Sequence, residues 1–254
     1  MNWGLPAAAS TYAGEIDFGI KLIHWAMLFI FVLWGVFFAY LLVRYRRRPG
    51  VPAEREHEHS VLKSLAPDIA VMVFEIGLIA LYALPVWSRI KVSFPDPASA
   101  HQVDVIAEQF AWNAHYPGPD GKFGRRDPKL LHFTNPIGLD LTDPAAEDDL
   151  VSANDIHMPL GKQTLIRLSS KDVIHSFFVP EFRIKQDAVP GMVIPVWVEP
   201  SRAGVFVISC AQLCGFAHSI MRGDVIVHTP EDYAAWVKAQ AGQAVKKEKA
   251  AESW

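Results

Sequence analysis

Cys210-Ala-Gln-Leu-Cys214-Gly-Phe-Ala-His218-Ser-Ile-Met221 puts two thiols, an imidazole and a thioether within one short segment. A further imidazole, His175, lies upstream in DVIHSFFVP. Thiolate, imidazole and thioether together form a soft-to-borderline donor set that favours copper. One thiolate, two imidazoles and a weak methionine would make a mononuclear site. Here the second thiolate on the same loop lets two sulfurs bridge two copper ions. Each copper then needs one imidazole, supplied by His175 or His218. Met221 and a backbone carbonyl between the cysteines are left as the weak ligands. The plain alternative is a disulfide between Cys210 and Cys214 in an oxidising compartment. His218 and Met221, which follow Cys214 on the same segment, weigh against it. Taken singly, Met221 reads as core filler and His175 as a hydrogen-bonded strand histidine. The combination carries the signal.

The elements that must hold this loop follow from composition and pattern. The chain has 254 residues, 51% of them hydrophobic and 20% charged. Its mean hydropathy is +0.16. Disorder is excluded, because so apolar a chain can bury a core. A net charge of −3 excludes a sequence-independent nucleic-acid binder, which needs a basic surplus against phosphate. Only two cysteines are present, too few for a disulfide framework, a four-cysteine zinc site or a Cys-x-x-Cys-His haem attachment.

The apolar surplus sits near the N-terminus, in residues 22–43 and 69–87. Each is long enough to cross a hydrocarbon core of about 30 Å as a helix. Arg44, Arg46, Arg47, Arg48, Arg55 and Lys63 lie in the connection between them, whereas residues 1–20 carry no lysine or arginine. The positive-inside rule then makes the connection cytoplasmic and puts both termini outside, in membrane lipid contact only through the two spans. Residues 1–20 lack the basic flank of a cleavable signal. Glu75 lies mid-span. A bare carboxylate there is costly, so it marks either a proton path or a hydrogen bond to another subunit.

From Ser93 the texture changes to short β-branched and aromatic runs between turn residues: VDVIAEQFAW, QTLIRL, MVIPVWVE, GVFVISC and GDVIVH. This pattern predicts an all-β sandwich or barrel. A Pro-, Gly- and Asp-rich connection, 117–155, interrupts it. TPEDYAAWVKAQ begins with a capping signal and predicts a terminal helix, followed by a charged, frayed tail. The expected organisation is a transmembrane hairpin over 1–91, a β domain over 92–240 and a tail over 241–254. The class is a membrane-anchored α+β chain.

CAQLCGFAHSIM resembles the binuclear copper loop of subunit II of the haem–copper respiratory oxidases. DVIHSFFVP, KQDAVPGM and EQFAWNAHYP resemble that family's further signature segments, and the hairpin followed by a β domain resembles its architecture. The resemblance covers roughly residues 15–240. It implies a cupredoxin-like Greek-key domain and a CuA centre of two copper ions. It further implies Cys210 and Cys214 as bridges, His175 and His218 as terminal ligands, and Met221 and the Gln212 carbonyl as weak ligands. It implies an electron-transfer role between a c-type cytochrome donor and the haem of subunit I, where oxygen is reduced to water. The catalytic oxygen site then belongs to another chain, and the complex is a proton-translocating oxidoreductase.

Two positions depart from the family. Gln212 stands where the family has a glutamate that helps to hold magnesium, and a neutral amide is a weaker ligand for a hard cation. Phe110 stands where the family has the tryptophan that receives electrons, with Trp112 two residues on. Acids clustered at Asp140, Asp143, Glu147, Asp148, Asp149 and Asp155 predict steering of a basic donor. The same ligand set would serve a related nitric oxide reductase. A membrane copper-delivery protein also pairs CxxxC with a distant histidine, but with one anchor and a βαβ pattern. A quinol oxidase subunit would lack the copper ligands.

Overall fold

The computed structural model describes residues 4–50 and 61–251. Arg55, His57 and His59, in the expected cytoplasmic connection, and residues 252–254 lie outside the described residues. The chain divides into two compact units, Glu15–Val92 and Met1–Gly14 together with Ser93–Trp254.

The helical unit is a hairpin. Helix α1 runs Ala13–Arg44, about 48 Å at 1.5 Å per residue. Its partner is α2, Val61–Leu78, which continues through a π-helical turn, Ile79–Ala83, into α3, Leu84–Lys91. The wide turn precedes Pro85, which has no N–H to donate to the ladder. Both rods are long and apolar enough to cross a membrane, and their apolar side chains face outward along their length. They meet where Gly19 leaves room for Tyr82: a Cβ at Gly19 would lie 2.8 Å from that ring. Tyr82 also donates its hydroxyl to the Glu15 carbonyl at 2.5 Å, and Arg89 pairs with Glu15. Glu75 projects from α2 uncovered by the hairpin.

The second unit is a sandwich of two five-stranded sheets. One holds β1 (His101–Glu108), β2 (Ala111–Tyr116), β3 (Leu150–Ala153), β5 (Thr164–Ser170) and β8 (Ile194–Val198), in the order β3-β2-β1-β5-β8. The other holds β4 (Asp155–Pro159), β6 (His175–Val179), β7 (Ile184–Ala188), β9 (Gly204–Cys210) and β10 (Arg222–His228), in the order β4-β10-β9-β6-β7. β1 with β5 and β10 with β4 are parallel, and the other pairs are antiparallel. Alternation buries Ile166 and Leu168 of β5, Phe177 and Val179 of β6, Ile208 of β9 and Val225 and Val227 of β10 between the sheets.

Three details were not legible in the pattern. The run 103–112, read as one strand, folds back at Gln109–Phe110 into β1 and β2. The terminal helix α4 runs Pro230–Ala251 and so continues into the segment expected to fray. Its cap is as expected: the Thr229 hydroxyl accepts from the Asp232 N–H at 3.2 Å and donates to the Asp232 carboxylate at 2.9 Å. Finally, residues ahead of the first helix strap the sandwich. Ser10 donates to the Phe182 carbonyl and Tyr12 to the Trp197 carbonyl, at 2.9 and 3.0 Å.

Candidate metal centre

Strand parity assembles the cluster. On β9, Phe206, Ile208 and Cys210 share the inward face, and on β6, Phe177 and His175 do the same. Phe177 lies opposite Cys210 in the ladder, so His175 falls just beyond it, towards the loop that leaves β9. Met221 precedes β10 on the same parity as inward Gly223, Val225 and Val227. The loop 211–220 is therefore an excursion between two ladder-paired strands. The Cys210 N–H closes its base by donating to the Met221 carbonyl at 3.2 Å, and Ala211 N–H donates to the Ser176 carbonyl at 3.0 Å.

Cys210 and Cys214 are free thiols with their Sγ atoms 3.7 Å apart, so they form no disulfide. His175 Nδ1 lies 4.0 Å from Cys210 Sγ. His218 Nδ1 and Met221 Sδ lie 3.6 and 3.7 Å from Cys214 Sγ. The Gln212 carbonyl oxygen lies 3.2 Å from Cys210 Sγ. Ligating atoms of His175, Cys210 and Cys214 all fall within 4.8 Å of one another. Donors held at bonds of about 2.0–2.3 Å around one ion are separated by roughly 3.3–4 Å, and the neighbouring pairs His175–Cys210, Cys210–Cys214, Cys214–His218 and Cys214–Met221 have that spacing.

His175 is fully buried, and its Nε2 contacts Asp172 Oδ1 at 2.8 Å. Burial alone would raise the Asp172 carboxyl. The hydrogen bonds from His175 and from the N–H groups of Gln109 and Val173 outweigh it and hold the acid below its ordinary value. An ionised carboxylate only accepts, so Nε2 donates and Nδ1 is left with its lone pair towards the cysteines. Burial, with the neighbouring Cys210 thiol, pushes the Cys214 thiol up to about 11. The metal-free centre therefore keeps that proton near neutrality, and a bound cation must expel it.

The structure brings together His175, Cys210, the Gln212 carbonyl, Cys214, His218 and Met221. Trp112 is buried beside them, its ring edge-on to those of His175 and Phe177. Phe110 sits at the β1–β2 turn against Phe216, with ring centroids 5.0 Å apart. Phe216 is 97% exposed and Leu213 78%, so the loop 211–220 presents apolar side chains to its surroundings. Phe216 lies within the Cys210–Met221 segment, but a lone loop aromatic has no periodicity to mark it. Glu75 belongs to the other compact unit.

The acid cluster needs correction. Asp149 is buried, where its carboxylate accepts from His115 Nε2 at 2.6 Å and from the Gly124 N–H at 2.7 Å. Asp140 is paired with Arg125 at 2.5 Å, and Asp143 caps the turn Pro144–Ala146. Much of the expected steering charge is thus spent in fastening the long connection, and Glu147 and Asp155 are the members left exposed.

A soft-donor loop on a two-sheet sandwich, behind two helices fit to cross a membrane, defines a membrane-anchored, cupredoxin-like metal-binding protein. Residues 101–229 match the family model described as cytochrome c oxidase subunit II, periplasmic domain. The alternative cytochrome c oxidase subunit 2 of Bradyrhizobium diazoefficiens is 39% identical over 241 residues, covering 94% of this chain and 84% of that protein. Cytochrome c oxidase subunit 2 of Thermostichus vulcanus is 30% identical over 257 residues, covering 91% and 77%. Among solved structures, the periplasmic domain of subunit II of cytochrome oxidase of Bradyrhizobium japonicum aligns with a TM-score of 0.44 at 26% identity, covering 59% of this chain and 99% of that one. The chain belongs to the cytochrome c oxidase subunit II family, the family that carries the CuA copper site. Its donor cluster is chemically compatible with copper.

Proposed function

We propose that this chain is the electron-accepting subunit of a terminal oxidase, in which Cys210, Cys214, His175 and His218 would hold two copper ions. Met221 and the Gln212 carbonyl complete the set. The observation that carries this reading is the convergence of two thiols, two imidazoles and a thioether at 3.6–4.0 Å spacing on one loop and its neighbouring strand. When bound, the copper pair supplies a one-electron store between an external donor, a c-type cytochrome, and the haem of subunit I, where oxygen is reduced.

The residues of this chain prepare that store. Asp172 fixes the tautomer of His175. Ladder bonds at the base of the loop fix Cys210 and Met221. Trp112 and Phe177 exclude water behind His175. Phe110 and Phe216 form the surface on which the donor settles, whereas Trp112 is buried and serves as backing. Gln212 offers a neutral amide where a hard cation needs charge, so no step is assigned to magnesium.

The β domain faces the periplasm, both termini lie outside, and the hairpin docks on subunit I in the inner membrane. Glu75, uncovered within its own hairpin, meets a subunit I helix or a water path there. Proton translocation by the complex with Glu75→Gln, assembled normally, separates these roles: unchanged proton uptake removes Glu75 from the path.

The test of the function is rapid mixing of the copper-loaded full chain with a reduced c-type cytochrome. Electron transfer should be observed and should vanish in Cys210→Ser. A copper-loaded wild-type chain that takes no electrons from the cytochrome would contradict the proposal.

A further inference from the structure

The turn between β1 and β2 reaches the metal centre from the opposite sheet, and Gln109 is the residue that touches it twice. Its side-chain Nε2 donates to the Cys214 carbonyl at 2.5 Å. Its backbone N–H donates to Asp172 Oδ2 at 2.7 Å. Asp172 uses its other oxygen, Oδ1, to accept from His175 Nε2 at 2.8 Å. A single residue thus links the loop bearing Cys214 to the imidazole of His175, and it does so across the gap between the two sheets.

The approach is close enough to dictate a neighbour. Gly215 has φ of +143°. A Cβ there would fall 2.7 Å from Gln109 Nε2 and 2.9 Å from the Phe110 ring. Glycine therefore serves both the backbone conformation and the closure of the turn on the loop.

We infer that Gln109 is a positioning residue for the copper centre. It holds the Cys214 loop in register with the strand bearing His175, so that the two halves of the ligand set keep the spacing that retains the metal. The inference rests on the reading of this cluster as a copper site. Its physical basis is tolerance. Ligands must be held within about 0.5 Å of working geometry by a supporting shell. The base of the loop is fixed by the Cys210–Met221 ladder contact, and the Gln109 amide ties its tip to the other sheet. Phe110 follows Gln109 directly, so the turn that offers a ring to the donor also braces the ligands.

The test uses the full chain in detergent, loaded with copper and challenged with a chelator. Gln109→Met keeps the length of the side chain and removes the donor. Gln109→Asn keeps the amide but cannot reach. Both should lose copper about three- to tenfold faster than wild type, the range expected of one net hydrogen bond, with a changed copper hyperfine pattern and an unchanged metal-free melting temperature. Copper loss at the wild-type rate in both variants would overturn the inference. So would faster loss matched by an equal fall in metal-free stability, which would make Gln109 an ordinary structural contact. A wild-type chain that binds no copper would defeat the copper reading instead, so the two failures are distinct.

Discussion

Asp172 accepts from His175 Nε2 at 2.8 Å, while the same ring presents Nδ1 to Cys210 Sγ at 4.0 Å. One carboxylate therefore decides which nitrogen is free to bind metal. Such outer partners of ligating histidines contribute about 10–100-fold to metal affinity. Asp172→Ala should weaken copper binding by about that factor while leaving the β sandwich folded. Competition with a chelator, alongside far-ultraviolet circular dichroism, checks this. Wild-type affinity in the variant would show that packing alone orients His175.

The candidate ligands were legible because most of them lie on one strand–loop–strand excursion, where parity and spacing along the chain stand in for distance. His175 was separated in sequence but sat in a strand of the same pattern. Their supports were not legible. Gln109 meets Cys214 across 105 residues, and nothing local marks such a contact. Asp149 read as a surface charge because carboxylates in Gly- and Pro-rich runs are usually solvated, yet it is the buried partner of His115. The fold-back at Gln109–Phe110 was hidden because neither residue is a Gly, Pro, Asn or Asp that would mark a turn. Ser10 and Tyr12 gave no sign that the chain ahead of the first helix is stitched to β-domain carbonyls.

The His115–Asp149 pair fastens the long connection to β2 with both side chains fully buried. Removing one partner of a buried pair costs about 3–5 kcal/mol. Asp149→Ala should destabilise the chain by an amount of that order, measured by denaturant unfolding, and Asp149→Asn should cost less because it keeps an acceptor. A loss within about 0.5 kcal/mol, as for ordinary surface sites, would mean that the connection is not held there.

The Phe216 ring, 97% exposed and edge-on to Phe110, should matter to the donor and not to the metal. Phe216→Ala should slow second-order reduction by a c-type cytochrome about tenfold, in the range of a modest interface hot spot, at all ionic strengths and with copper retention unchanged. Glu147→Gln should act differently, slowing reduction only at low salt, because screening removes steering. Stopped-flow rates across a salt series distinguish the two. A wild-type rate for Phe216→Ala would move the docking surface elsewhere.

A second histidine cluster should set the acid limit of stability. His157 Nδ1 and His228 Nε2 lie 2.7 Å apart, and the His157 ring stacks on Trp236 of α4 at 4.0 Å. His101 Nε2 contacts the Tyr233 hydroxyl at 2.7 Å. Burial, then His228, lowers His157 to about 4, and burial, then Lys162, lowers His101 to about 3. Burial also lowers His228, against an opposing pull from Asp232. The fold thus prefers neutral rings, and the unfolded chain, titrating near 6.5, binds more protons. Stability contributed by these groups should be full above about pH 6.5 and fall progressively as pH drops towards 4. Asp140, held down to about 2 by Thr142 and Arg125, weakens only at lower pH. Metal-free melting temperatures of wild type and His157→Gln across this window check the assignment: the variant should show the shallower slope, and equal slopes would contradict it.

The most direct test of the copper centre is electron paramagnetic resonance of the copper-loaded full chain, together with its copper-to-protein ratio. Two copper ions per chain and one unpaired electron shared by both nuclei are expected, with the shared state lost in Cys210→Ser and in Cys214→Ser. A ratio of one, or the spectrum of a single copper nucleus in the wild-type chain, would contradict it.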